Sequence, residues 1–588
     1  MGRDLPNVFK KSKIVGNNAK ETYMKFSEYT YTRPDYPVIK EEFTRLIADL
    51  EVATSPETTR SIILDITKIL NLVDTQYNLW MIRHSIDMND EFYNEETKFW
   101  NDYSPLFEEL TTNYYRVITK TPFKTELADI LPETFFKQAE NKLKTFSSEV
   151  IPLFQKENQL TDEYSKLIAG AAIEFQGKTY NLSQLSPFGQ STNRDIRKAA
   201  SEASTAYFVE KEADFDRVYD ELVKVRTEIA HTLGFKDYVE YGYLKMNRFD
   251  YNRDMVKVYR EEILKHIVPI VQNLRERQAK RLQVPSLKYY DLNLEFLDGN
   301  AVPQGDPDFI LDQAQKMYHE LSAETGEFFD FMVEHELLDL VAKTGKDSGG
   351  YCTYIPDYKS PFIFSNFNGT SGDIDVLTHE AGHAFQVYRS RWIQSPEVVW
   401  PTYETCEIHS MSMEFMTWPW MERFFKEQVD KYKFSHLAGT LLFLPYGVLV
   451  DHFQHEVYEH PEMTPAERKA TWARLQAQYL PDRDYSDSEA LSRGIFWYRQ
   501  GHIFASPFYY IDYTLAQVCA LQFWKRTQVD HDENAWEDYI RICDLGGTKS
   551  FLQVVAAANL QSPFKEGALE STAQAAANWL AAVNDTAF

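Results

Sequence analysis

Apolar positions recur through the first third of the chain at the spacing of one helix face. Ile39, Phe43, Leu46, Ile47 and Leu50 fall at i, i+4, i+7, i+8 and i+11, a single buried stripe. Ser55-Pro56-Glu57 sets a hydroxyl cap before a proline at the first helical position and predicts a helix running to Val73. Residues 76–118 and 133–169 continue the rhythm with few candidates for chemistry, and read as scaffold. At Glu174–Leu182 the period changes. Two short β-prone arms flank Gln176-Gly177-Lys178, a small hairpin. Helical spacing resumes near Asn193 and includes a long element from Asp254 toward Gln283, interrupted or kinked near Pro269. Asp298–Pro307 is a loop.

Between residues 344 and 372 glycines and aromatics replace the helical pattern, and Phe362–Phe367 reads as a strand: an ordinary packed one by itself, or, in a peptidase, an edge that could pair with an extended peptide. Residues 373–388 return to a helix, with Val376, Leu377, Ala384 and Val387 apolar. Only 23 glycines and 24 prolines are spread over 588 residues, which favours long helices, so a mainly α fold with a small β element is expected. No repeat, low-complexity tract or flexible linker interrupts the chain, which predicts one integrated body.

A formal net charge of −26 with no Lys/Arg cluster argues against nucleic acid as a partner. Cys352, Cys406, Cys519 and Cys543 are scattered without a Cys-x-x-Cys pair, the usage of a reducing, cytoplasmic compartment. Met1–Lys11 has no apolar core, so no secretory signal is expected there. The longest apolar run, Ala438–Val450, falls short of a bilayer and contains Pro445, so no membrane span is expected.

The chemistry starts at His379-Glu-Ala-Gly-His383. Histidines four apart project from one helix face and can hold one Zn²⁺, while Glu380 is placed as general base for a metal-bound water. A catalytic zinc needs a third ligand, and downstream Glu404, Glu407, His409 and Glu414 all offer one; spacing alone leaves the choice open. Cys406 beside Glu407 reads as a small buried residue. The Asp451–His460 stretch carries His452, His455 and His460 without a surrounding catalytic pattern, and reads as a structural helix.

His379-Glu-Ala-Gly-His383 followed by Glu407-Ile-His-Ser410-Met-Ser-Met-Glu414 resembles the thimet oligopeptidase/oligoendopeptidase F family of zinc metallopeptidases, with its His-Glu-x-Gly-His and Glu-x-x-Ser-x-x-x-Glu motifs. Within it, the chain is most similar to the oligoendopeptidase F-related and Pz-peptidase group. The resemblance runs from about residue 190 to the C-terminus, and implies an N-terminal helical region over residues 1–190 and a catalytic region over 191–588. It selects Glu407 as third ligand and Glu414 as the partner orienting a ligand. Gly349-Gly350 and the strand after Pro361 resemble the stretch this family sets before its metal helix. His502-Ile-Phe-Ala-Ser-Pro-Phe-Tyr-Tyr-Ile-Asp-Tyr513 resembles its histidine-then-tyrosine segment. Pro507 can open a helix with Tyr510 and Tyr513 on one face. Tyr513, then His502 and Tyr510, become the candidate oxyanion donors, with Tyr509 as alternate because the His-to-Tyr spacing is one residue off the commonest pattern.

The resemblance implies a helical ellipsoid with a deep channel, one zinc per chain at its floor, and short peptides as substrates of an endopeptidase. Two rivals stand. A dipeptide-releasing carboxypeptidase would need a cation such as Arg499 to hold a substrate C-terminus. A silent zinc-stabilised scaffold would have no need of Glu380. Oligomeric state and side-chain preference are not encoded in these motifs.

Overall fold

Polar caps open the helices where the sequence places Asp, Ser, Asn or Thr before an apolar stripe. Ser55 Oγ accepts from the Thr58 amide at 3.2 Å, and Asn181 and Thr464 close capping boxes. The computed structural model describes residues 24–343, 345–347 and 349–588; the Met1–Lys11 stretch lies outside them. The architecture is mainly α. The helix opened at Ser55 runs Pro56–Ile86, past the expected end at Val73, because Asp74–Ile86 keeps the helical period and no breaker intervenes. It is followed by Glu91–Ile118, Glu133–Thr145 and Ile151–Ala169. Pro269 divides the long element into Arg253–His266 and Val268–Arg281.

Two small sheets occur among the described residues. The hairpin pairs β1 (Ile173–Phe175) with β2 (Lys178–Tyr180) antiparallel, its turn made by Gln176 and Gly177, both at positive φ. The second sheet holds β3 (Leu338–Val341), β4 (Tyr351–Ile355) and β5 (Ser360–Phe367) in the order β3-β5-β4. This corrects one expectation. Phe362–Phe367 is the central strand, paired parallel to β3 and antiparallel to β4, and its side chains are almost all buried. An alternation too apolar to show one wet face marks a strand covered on both sides. The two edges belong to β3 and β4.

The apolar run Ala438–Val450 forms the middle of a helix, Val429–Glu459, with Pro445 inside it. By length and composition the stretch Glu422–Glu459 passes as a membrane-crossing helix, longer than its apolar run suggested. Of its most apolar window 67% is buried within the protein, the behaviour of a core helix. It packs against Tyr510–Trp524, a helix buried all round, which in turn packs against Tyr403–Met416. Tyr403–Met416 crosses the metal-motif helix, Gly372–Ser390. Residues 36–139 build a separate apolar cluster that closes on Val387, Val398 and Val399.

The crossing of the last two helices is close because Gly382 has no side chain. A Cβ there would stand 2.6 Å from Ser410 Cα and 2.7 Å from the His409 carbonyl oxygen, both backbone atoms that cannot swing aside. Gly382→Ala is therefore expected to cost about 1–3 kcal/mol through overpacking and to lower metal occupancy at limiting metal. Thermal melting and metal content check this; an alanine variant matching the parent in both would show that the helices part freely.

Candidate metal centre

The Gly372–Ser390 helix presents His379 and His383 one turn apart, ring centroids 5.0 Å from each other. Glu407 arrives from Tyr403–Met416, its Oε2 3.2 Å from His379 Nε2 and 3.5 Å from His383 Nε2. The three donor atoms lie within 4.8 Å of one another, the one such convergence of His, Cys, Asp or Glu found among the described residues. Two imidazole nitrogens and a carboxylate oxygen at the wall of a cavity are a donor set that fits zinc with one position left for water.

The four downstream candidates separate clearly. Glu414 stands behind His379, with Oε1 2.7 Å from His379 Nδ1 and Oε2 2.8 Å from His436 Nε2. The Trp418 indole N–H donates to His436 Nδ1 at 3.0 Å, so the His436 proton sits on Nε2 and points to Glu414. Glu414 thereby accepts from His379 Nδ1 and leaves His379 Nε2 with its lone pair toward Glu407. His409 is fully buried against Tyr539, and burial pushes its imidazole down to about 3. Glu404 is buried beside Asp512 and Arg248, away from the imidazoles. His436 carries no sequence signal: it stands in a mostly apolar helix, at no ligand spacing to either motif.

Glu380 and Glu407 show how the cluster divides its charge. Glu380 is 8% exposed, and burial raises its carboxyl above the usual range. Burial also works against Glu407, yet the His383 and His379 imidazoles hold it below that range. Ser410 Oγ donates to Glu407 Oε2 at 3.0 Å and the Tyr509 hydroxyl to Oε1 at 3.1 Å.

These groups share a cavity of about 540 Å³ with Gly350, Cys352, Cys406, Trp400 and Tyr513. The structure brings Tyr509 and Tyr513 to its wall, their rings 4.9 Å apart. His502 stands behind them, 5.8 Å and 5.9 Å from the two rings, and Tyr510 lies 4.9 Å beyond it. Burial lowers the His502 imidazole, so it stays neutral. The Tyr446 hydroxyl donates to Gln500 Oε1 at 2.7 Å and Gln500 Nε2 lies 2.8 Å from His502 Nδ1, an order of donors that leaves the ring proton on Nε2. His452 and His455 of the downstream stretch bond Tyr479 and Tyr243, and His460 is exposed.

Pro507 does not open the tyrosine helix, which starts at Tyr510. Phe508 intervenes at φ +67°, a strained backbone for a bulky residue. Its amide donates to Gln454 Oε1 at 3.0 Å and its carbonyl accepts from Arg248 Nη2. Its ring fills the space that a Cβ on Gly242 would occupy, 2.6 Å away. Packing and two buried side chains hold this turn, and with it the direction of Tyr509.

Two outcomes are expected. Removing the carboxylate that orients His379, in Glu414→Ala, weakens metal binding about 10–100-fold, read by chelator competition. Arg248 pairs with Asp512 at 3.0 Å, and one guanidinium cannot neutralise both Asp512 and the nearby Glu404. Burial first, then the field of Asp512, raises the Glu404 carboxyl, and burial pushes Asp512 up to about 7, with the fields of Asp451 and Glu407 adding to it. Acids raised in the fold contribute stability that is full below their unfolded pKa of about 4 and is lost as pH rises through the folded range. Glu404→Gln should therefore lose less melting temperature than the parent between about pH 5 and about pH 8.

The chain matches the Peptidase M3 N-terminal domain over residues 26–146 and Peptidase family M3 over residues 188–574. A solved chain assigned to oligoendopeptidase F is 54% identical, covers 96% of this chain and all of its own, and superposes with a TM-score of 0.90. Pz peptidase A, solved with an inhibitor, is 52% identical over 96% of this chain and all of its own, also at 0.90. The chromosomal oligoendopeptidase F of Lactococcus lactis subsp. cremoris is 27% identical over 199 residues, which span 33% of this chain and about a third (31%) of that protein. With a mainly α fold of the oligoendopeptidase F kind and a model match over more than half its length, the chain belongs to peptidase family M3.

Proposed function

We propose that this M3 peptidase is a zinc-dependent oligoendopeptidase, with His379, His383 and Glu407 holding one Zn²⁺ and Glu380 as general base. The observation that carries the reading is the convergence of the three donor atoms at the wall that also holds Glu380. Bound zinc supplies a Lewis acid and a water of lowered pKa. Glu380, raised by burial, takes the proton from the attacking water and returns it to the leaving amine. Tyr513 donates to the oxyanion of the tetrahedral species with Tyr509 beside it, while His502 stands behind both rings and Tyr510 packs against it. β4 offers its free edge to an extended peptide, the role expected of Phe362–Phe367. A catalytic region over residues 191–588 and a helical N-terminal region over 1–190 suit the separate apolar cluster of residues 36–139. Four free thiols and the acidic surface support a cytoplasmic location.

Cleavage of an internally quenched oligopeptide tests this. Wild type is expected to cut an internal bond, lose activity to a chelator and regain it with zinc. Glu380→Gln should keep its metal and lose at least about 10²-fold in kcat; Tyr513→Phe should lose about 10²–10³-fold in kcat with little change in KM. Release of C-terminal dipeptides alone would assign a carboxypeptidase instead, and zinc and peptide binding without cleavage a scaffold.

A further inference from the structure

The metal cavity does not end at the imidazoles. Gly350, Tyr351 and Cys352 line it from β4, and the next residues of that strand, Thr353 and Tyr354, line a second cavity of about 640 Å³. The segment around Trp400 makes the same passage: Trp400 lines both cavities, Pro401 and Thr402 the first, Pro396 and Val399 the second. Two stretches of chain thus lead from one space into the other. A further wall of the second cavity comes from the N-terminal helix Pro56–Ile86, through Lys68, Asn71 and Asp74.

The charge of this second cavity runs against that of the protein. The chain carries −26 overall, yet the cavity is lined by Lys68, Lys359 and Arg391 against a single acid, Asp74. Neither Arg391 nor Lys359 has an ion-pair partner among the described residues. Arg391 follows the last turn of the metal-motif helix and lays its guanidinium on the Tyr388 ring, 3.6 Å from the centroid. Stacking occupies the face of a guanidinium and leaves its in-plane N–H donors for an acceptor; Nη1 of Arg391 is buried without one. Lys359 stands exposed after the Pro356–Tyr358 turn, its backbone left-handed at φ +49°. Lys68 holds Asp65 at 2.8 Å, an exposed pair that exchanges partners at little cost. Asp74 bonds none of the three. The surrounding protein first, then the fields of Glu397 and Asp357, push its carboxyl up to about 7, so at neutral pH it cancels only about half a unit of that charge. Cations that share a recess without matching acids repel one another until an anion enters.

An extended chain advances about 3.3 Å per residue, so the step from Tyr351 to Tyr354 along β4 is about 10 Å, three residues of a peptide laid beside it. We propose that the second cavity is a subsite for a carboxylate of the bound peptide, three or four residues from the bond held at the metal centre, with Arg391 and Lys359 as its donors and Lys68 adding charge. That carboxylate belongs to an Asp or Glu side chain, or to the C-terminus where the peptide ends there. A sheet edge pairs with any backbone, and selection among side chains comes from the pockets beside it. Generic attraction is no substitute, because a protein of this net charge repels acidic peptides at a distance. The inference rests on the oligopeptidase reading and adds a charge preference to it.

Binding separates this from turnover. In zinc-loaded Glu380→Gln protein, N-terminally labelled octapeptide amides with one Glu moved position by position through an uncharged sequence are compared with their Gln counterparts by fluorescence anisotropy. Glu is expected to bind about tenfold tighter than Gln at one position and not elsewhere. Arg391→Gln and Lys359→Gln, each in the Glu380→Gln background and each melting like it, should bring the two peptides within about twofold there while Gln-peptide binding holds. Lys359 is exposed, so its variant decides the matter even where Arg391→Gln fails to fold. The Gln peptide as free acid separates the two sources: a tighter acid with a flat Glu scan assigns the C-terminal carboxylate, and the same variants should abolish its advantage. Equal binding of Glu and Gln and of acid and amide, or a preference that survives both variants, overturns the subsite. A carboxylate preference in a protein whose wild type cuts nothing would sink the peptidase reading and leave the subsite standing; internal cleavage without any such preference would do the reverse.

Discussion

Glu380, Glu407 and Glu414 stand within reach of two imidazoles inside a protein body, and that concentration of acid is the constraint on which the rest of the site depends. Three ionised carboxylates cannot share such a space without cations. Part of the balance comes from the protein. His379 Nδ1 and His436 Nε2 each donate to one oxygen of Glu414. The remaining position, open to the cavity, fits a divalent ion, and its charge would complete the balance. Removing any acid therefore changes the others.

The geometry that serves this balance is made by backbone approach and by strain. Gly382 lets the helix with both imidazoles cross the helix of Glu407 at near-contact distance, which brings donors from two elements within one coordination sphere. Phe508 adopts a left-handed backbone that a free peptide would avoid, and the helix carrying Tyr513 follows directly from it. Gln454, Arg248 and a wall of aromatic rings hold that turn. Local cost is offset by burial around it, as expected where a chain must aim a side chain rather than merely pack it.

The chamber has a similar logic at larger scale. The cavity wall is contributed by segments far apart in sequence: β4 from the middle of the chain, His379 and Glu407 from the two helices that cross, and Tyr509 and Tyr513 from a later stretch.

What the sequence determined by itself were the features encoded within a few residues. The 3.6-residue period specified a mainly helical fold, the Gln176-Gly177 turn specified the hairpin, and His379, Glu380 and His383 defined one helix face. Spacing could not choose among Glu404, Glu407, His409 and Glu414, since four polar groups on one buried helix differ only in what the neighbouring elements present to them. Tertiary structure decided that β5 is central with β3 and β4 at its edges, that the helix opened at Ser55 runs on to Ile86, that His436 supports Glu414, and that Tyr509 reaches Glu407. The physical reason is the same in each case. Strand order, helix crossing and buried charge pairing are contacts between segments remote in sequence, and no local period records them.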